Sequence, residues 1–343
     1  MALLANSRGG LAQVVALLSI LVTSGAIRAQ ETNSSRDAPT VLKSTSTFVL
    51  VPTRVRSSSG APVPDLRAEQ FRLFDESVPQ NVLTVKTDDL PISLVILMQT
   101  GGTAAQKFSN YADLPVLLGK ILGGSEHEIM FVTFDSRIEQ IWHFPSRSDA
   151  VFHALTRPHP GDSGRAIRDA VSFAVGQLQA EAGRFRRVVL LLSEEADEGS
   201  KIAPRDLLEQ LGTGSTVVHS IVFPARNVTK THGIRLQGAA GTSGISNALA
   251  RTLGRLSSNT AAEIATLTGG DFVEFSDQRS FNSGLIDIGA DISDAYTLGF
   301  QPSQHTPGFH RLSVEVSPLS EINSHGKIFM VPHYGISPLG EKE

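Results

Sequence analysis

The residues that could do chemistry gather first at Gln99-Thr-Gly-Gly-Thr103, a small polar turn of one amide, two hydroxyls and two glycines. Two other pairs, His127-Glu128 and Glu194-Glu195, carry the residue types of metal or acid–base sites. Each lacks a convergent partner at a recognisable spacing. No HExxH, GxSxG, Walker or GxGxxG pattern occurs anywhere in the chain. The ten histidines are scattered, and none makes an i, i+4 pair on a predicted helix; His219, set in an apolar strand, reads as a core residue. Gly238–Gly244 resembles a phosphate loop only superficially, because it lacks the lysine and follows no direct strand-to-helix turn. Glu181, Arg184, Arg186 and Arg187 read as a solvated helix end and the start of a strand. Trp142 reads as packing on an edge strand, with an interface anchor as the alternative.

The turn is placed by what precedes it. Ile92-Ser-Leu-Val-Ile-Leu-Met98 has six apolar residues in seven, the pattern of a strand buried on both faces of a parallel sheet. A helix is expected over 104–122, ended by Gly123-Gly124. Strand, polar turn and helix put a ligand site at the carboxyl edge of an α/β sheet. Downstream the rhythm repeats. Strands are expected over 128–134, 187–193, 216–223 and 271–275, with a hairpin-linked partner over 138–144 as an antiparallel edge. Helices are expected over 148–156, 165–182, 204–211, 246–268 and 280–292. The fold class is therefore α/β, a doubly wound and mostly parallel sheet flanked by helices, over residues 89–293. Short strands within 47–88 and again within 294–343 are expected to pair into a small β unit that brings the chain ends together. Residues 224–244 form a long aperiodic stretch on the same face as the Gln99 turn.

Composition narrows the function classes. Hydrophobic residues make up 41% and charged residues 19%, which suits a sizeable core. A formal net charge of -4 without a long basic run argues against a nucleic-acid partner. The absence of cysteine excludes disulfides, thiolate metal sites, a cysteine nucleophile and a lipoprotein anchor. Arg8, the apolar run over 11–23 and the small residues at Ala26 and Ala29 make residues 1–29 a signal peptide, followed by a linker over 30–46. The competing reading is an uncleaved anchor, since residues 9–27 carry no charge; a membrane association is expected only in that case. Either way the body is exported: periplasmic, secreted or held at the cell envelope.

The strand-turn-helix at Ile92 and the βα order resemble the von Willebrand factor type A fold. The stretches "VPTRVRSSSGAPVPDLRAEQFRLFDESVPQNVLTV", "DDLPISLVILM", "AEIATLTGGDFVEF" and "DAYTLGFQPSQHTPGFHRLSVEV" are similar to the bacterial, acidobacterial-type secreted VWFA-related family. The resemblance runs from about Thr47 to Val316 and implies a metal-ion-dependent adhesion site at the carboxyl edge. In that family an Asp-x-Ser-x-Ser turn, a threonine and a later aspartate supply the hard oxygens that Mg²⁺ requires. The resemblance places Gln99, Gly101 and Thr103 on the first motif, Arg165 at the threonine and Glu194 at the aspartate. Thr103 keeps its chemistry and Glu194 its charge, while the other three positions are lost. Arg165 cannot give up its proton, and about 4 Å from a divalent ion at an effective dielectric near 20 it would repel the ion by roughly 8 kcal/mol. The site is accordingly expected to be degenerate, with no cofactor and no Mg²⁺. Arg165 could instead fill the vacated position and pair with Glu194 or Glu195, or it could point to solvent. Restoring Gln99→Asp, Gly101→Ser and Arg165→Thr together is expected to create Mg²⁺ or Mn²⁺ affinity.

These readings converge on a non-enzymatic binding or scaffold module. Gln99, Gly101, Thr103, Arg165 and Glu194 would face an unknown protein or cell-surface macromolecule. Metal-dependent adhesion is the alternative, and a hydrolase with an unrecognised site stands behind both, lacking any nucleophile–base–orienter pattern.

Overall fold

A computed structural model describes residues 48–57, 61–85, 90–144, 148–180, 186–224, 259–304, 306, 308–317, 327–330 and 333–336. The residues expected to form a signal peptide and a linker, and nearly all of the 224–244 stretch, including its glycine-rich part, lie outside the described residues.

The strands in chain order are β1 (Val49–Arg56), β2 (Phe71–Asp75), β3 (Val78–Gln80), β4 (Val82–Val85), β5 (Ile92–Gln99), β6 (His127–Phe134) and β7 (Ile138–Trp142). They continue as β8 (Arg186–Glu194), β9 (Thr216–Phe223), β10 (Phe272–Glu274), β11 (Tyr296–Phe300), β12 (Gly308–Val316), β13 (Lys327–Met330) and β14 (His333–Ile336). The helices are α1 (Leu114–Leu122), α2 (Ser148–Thr156), α3 (Ile167–Ala180), α4 (Pro204–Gly214), α5 (Thr260–Leu267) and α6 (Gln278–Asp294).

All eight side chains of β5 are buried, and the strand sits inside a six-stranded sheet ordered β10-β9-β8-β5-β6-β7. Every pairing in this sheet is parallel except β6 with β7, the expected antiparallel edge. Period-two alternation divides β5 between two cores. Ile92, Leu94, Ile96 and Met98 pack against residues of α1, α2 and α6, while Val95 and Leu97 pack against α3, α4 and α5. Each such side chain contributes on the order of 1.5–3 kcal/mol on burial, so this strand anchors both helical layers. The doubly wound α/β class is what the structure has.

The segments within 48–85 and 296–336 pair with one another, as expected, and do so in two sheets. β13-β1-β11-β4 and β14-β12-β2-β3 enclose a third core that includes Val51, Leu73, Leu298, Phe300 and Tyr334. The short strands β3 and β14 lack a clear apolar alternation and are not among the expected elements.

The helices depart from expectation in two places and can be compared only in part in a third. The stretch 104–122 is a 3-10 segment, Ala104–Tyr111, followed by a separate α1, because Pro115 in the first turn has no N–H to continue a helix from above. Of the helix expected over 246–268, residues 246–258 lie outside the described residues, and a helix starts at Thr260, where the Asn259 side chain accepts from the Ala262 N–H at 2.8 Å. The helix expected from Arg165 starts at Ile167, since Arg165 exchanges backbone hydrogen bonds with Glu198 instead. Arg186 and Arg187 do open a strand, but they are half-buried rather than solvated and donate to the carbonyls of Ile292 and Gly214 respectively, while Glu181 and Arg184 lie outside the described residues.

At the amino edge of the sheet, buried Arg54 from β1 links the sandwich to the α/β layer. Its guanidinium pairs with Asp291, stands 2.8 Å from Asp271 and donates to the Gly269 carbonyl at 2.7 Å. Arg56 also pairs with Asp291. Next to this network His219 is a core residue. Its Nδ1 accepts from the Asp271 N–H, and burial, helped by Arg54, pushes its pKa down to about 3. Removing one member of a buried ion network leaves uncompensated charge. We expect Arg54→Ala to lower the unfolding free energy by about 3–5 kcal/mol, and the more exposed Arg56→Ala to cost clearly less, both measured by urea denaturation.

Candidate functional site

Parallel strands send their carboxyl ends to one edge, and there the structure brings together all five residues marked out in the sequence. Gln99 ends β5 with no solvent exposure. Its Oε1 accepts from the Glu194 N–H at 2.9 Å, and its Nε2 donates to the Gly101 carbonyl at 3.1 Å and to Glu194 Oε1 at 3.3 Å. The amide therefore ties the end of β5 to the end of β8. Thr103 donates to the same Glu194 oxygen twice, from its backbone N–H at 2.7 Å and its hydroxyl at 2.9 Å. Glu194 Oε1 thus receives three donors.

The other Glu194 oxygen faces arginine. Arg165 Nη1 stands 3.3 Å from Glu194 Oε2, and Nη2 stands 2.6 Å from Glu198 Oε2. Oε2 has no aligned hydrogen bond, so its contact with Arg165 is an ion pair rather than a bidentate fork. Glu194 is fully buried, while the Arg165 side chain keeps 24% exposure. Of the two arrangements open to Arg165, the paired one is present. Its partner is Glu194, with Glu198 added, and not Glu195.

Gly101 has a purely steric reason to be glycine. A Cβ there would lie 2.1 Å from the Gly164 carbonyl oxygen and 2.8 Å from Asp135 Cβ. Gly102 adopts φ +60°, and a Cβ on it would meet Glu194 Oε1 at 2.5 Å. The close approach comes from the 161–164 loop. Its Gly161 N–H donates to the Thr100 carbonyl at 3.0 Å, and the Gly102 N–H donates to the Asp162 carbonyl at 2.9 Å. Asp135, buried at the end of β6, accepts from the Asp162 N–H at 3.0 Å. The expected restoration of metal affinity through Gly101→Ser therefore meets an obstacle: the serine cannot enter unless this loop moves.

Several participants escaped the sequence reading. Glu198 was one, although its place in the turn after β8 was a usable signal. Asp135 and Asp162 were others, as was the buried Arg168–Asp197 pair at 3.2 Å, which joins the start of α3 to that same turn. Glu195 pairs with Glu274 from β10; burial first, and the neighbouring carboxyl second, push its pKa up to about 7. Glu139 is raised by burial, offset in part by the Thr100 hydroxyl 2.8 Å away.

In the terminal sandwich, buried Asp75, His310 and Tyr334 form a second polar set, with Asp75 accepting from Tyr334 at 2.7 Å and lying 3.2 Å from His310 Nδ1. Thr306 stands beyond the imidazole, giving the outline of a hydroxyl–base–carboxyl series. His310 Nε2, however, lies 2.7 Å from the Thr306 carbonyl and 3.3 Å from its hydroxyl. The nitrogen that would have to accept a proton is thus engaged with a backbone acceptor, and the set reads as an internal brace.

No known protein-family profile matches the chain, and no curated protein sequence does. Solved structures offer weak likenesses. Proximal thread matrix protein 1 from the mussel byssus, with a zinc-occupied MIDAS motif, is 14% identical over 64% of this chain with a TM-score of 0.44, and the chain spans about half of it (50%). An aerotolerance-related membrane protein from Bacteroides fragilis is 13% identical, with 59% of this chain and 98% of that one covered and a TM-score of 0.37. The pilus adhesin SpaC from Lactobacillus rhamnosus is 10% identical, with coverage of 80% and 42% and a TM-score of 0.40. The strand order of this chain, not these likenesses, carries its fold.

Because a Cβ at position 101 has no room, Gly101→Ser alone should lower stability by about 1–3 kcal/mol, read from chemical denaturation. Thr103→Val, which keeps the shape and loses one donor to Glu194, should cost about 1–3 kcal/mol by the same measurement.

Proposed function

We propose that this chain is an exported, non-enzymatic binding module of the von Willebrand factor type A kind. On this reading it engages a protein or cell-surface macromolecule through the carboxyl edge of its parallel sheet, and does so without a metal ion. The observation that carries the reading is the placement of Arg165 between Glu194 and Glu198.

A divalent cation needs several oxygen donors free to turn toward it. Here Glu194 Oε1 is already taken up by Thr103 and Gln99, and its Oε2 faces a permanent positive charge. Gln99 contributes its amide oxygen to the Glu194 backbone rather than to a cavity. Gly101 supplies no side chain and cannot accept one. The donor set does not fit Mg²⁺. The guanidinium supplies in fixed form the positive charge that an ion would bring, so the edge is already assembled before a partner arrives. Binding then depends on preorganised side chains rather than on an ion concentration.

The exposed part of Arg165 and the exposed Glu198 carboxylate make the polar centre of such a contact. A partner would meet them as an ion pair whose strength falls with salt. Capture of binding partners from an envelope fraction should be unaffected by EDTA and reduced by Arg165→Glu. Calorimetry should find no Mg²⁺ binding to the native protein. EDTA-sensitive capture, or tight Mg²⁺ binding, would return the metal-dependent alternative.

A further inference from the structure

Beside the Gln99 turn, between the β6–β7 edge and the 153–159 segment that ends α2, lies a separate cavity of about 450 Å³. That size falls within the roughly 300–1,000 Å³ of small-molecule sites. Its walls combine one indole, Trp142, with five planar polar side chains: Glu139, Gln140, His153, Arg157 and His159. We propose that this cavity binds a pyranose sugar unit, with Trp142 taking the ring's C–H face and the planar polar side chains taking its hydroxyls.

The chemistry follows from what a sugar presents. A pyranose has an apolar C–H face and an equatorial rim of vicinal hydroxyls, each at once donor and acceptor. An aromatic plate answers the first, through contact of C–H hydrogens with the negative face of the π-system. Carboxylate, amide and guanidinium groups answer the second, because their paired polar atoms in one plane can bridge two neighbouring hydroxyls, and each imidazole adds a single ring nitrogen. The cavity holds both kinds of wall.

The plate is held in place. Trp142 stacks on buried Phe131 with ring centroids 4.9 Å apart and planes 27° apart, so little side-chain freedom is lost on binding. Glu139 is positioned from behind by the Thr100 hydroxyl at 2.8 Å. Thr133, which also lines the cavity, has its hydroxyl engaged by the Gln140 N–H at 3.3 Å and so fixes the backbone that carries Gln140.

Other ligand classes use the walls less well. A phosphate would find Arg157 but would face the Glu139 carboxyl and leave the indole unused. A flat aromatic acid would use the indole and Arg157 and leave Gln140 and the two imidazoles unused. The site requires nothing of Arg165 or Glu194 and stands whether or not the crevice reading does.

Trp142 is the chain's only tryptophan, so fluorescence excited selectively in the indole band reports on this cavity. The full chain is titrated with glucose, N-acetylglucosamine and galacturonic acid as neutral, amidated and acidic probes, with sodium phosphate and sodium benzoate as controls, and calorimetry repeats any saturating titration. The expected result is a saturable change in Trp142 emission with at least one sugar and none with the controls. Gln140→Ala and Arg157→Ala, both at exposed positions, should weaken it at least tenfold with an unchanged unfolding midpoint. No saturation with any of the three sugars overturns the proposal. So does equal saturation by benzoate or phosphate, or a sugar response that both variants leave intact.

Discussion

A carboxylate without solvent contact must be answered by its surroundings, and Glu194 sets that requirement at the carboxyl edge of the sheet. The effective cost of burying an unpaired ion is several kcal/mol, comparable to a large share of the stability of a whole domain. Three donors on Oε1 and a guanidinium near Oε2 meet it. At 3.3 Å and an effective dielectric of about 20, the gross attraction between Arg165 and Glu194 is about 5 kcal/mol, of which desolvation removes a large part. The balance is favourable only while both partners and the donors from the Gln99 turn remain together.

That condition explains much of the local backbone. Gly101 and Gly102 are needed because the turn is pressed between the 161–164 loop and Glu194 itself. The 161–164 loop is pressed there because Arg165, at its end, must reach the carboxylate while bridging Glu198 through its backbone. Asp135 and the Arg168–Asp197 pair pin the same segments from either side. The far edge of the sheet has its own ionic clamp to the sandwich in Arg54, Asp271 and Asp291.

Much of this fold could be read in advance, because burial on both faces leaves an unmistakable trace. Ile92–Met98 is apolar almost without break, Arg187–Ser193 has an unbroken apolar run of five between polar ends, and Thr216–Phe223 is mainly apolar; each is a strand of the parallel sheet. Helix bounds were less legible where the decision lay in a single backbone group, as at Pro115 and at the Asn259 cap. The site was legible by type and position but not by contact. Gln99, Thr103, Arg165 and Glu194 were all marked out, yet nothing in their spacing showed that Gly101 is held to glycine by a carbonyl oxygen 63 residues downstream in Gly164. Nor could spacing choose Glu198 over Glu195 as the second carboxylate on Arg165, since alternate residues of a turn point in directions that only the fold determines. The Trp142 cavity was equally hidden, because its walls come from a strand and a helix end brought together by packing.

Arg165 and Glu194 stand 3.3 Å apart as one ion pair at the carboxyl edge. The most direct measurement is a double-mutant cycle on Arg165→Ala and Glu194→Gln, with urea unfolding of the native chain, both single variants and the double variant. The account predicts a coupling energy of about 1–3 kcal/mol, with the double variant less destabilised than the two single effects together imply. Additivity to within about 0.5 kcal/mol would contradict it, and would mean that the two side chains lie close together without supporting one another.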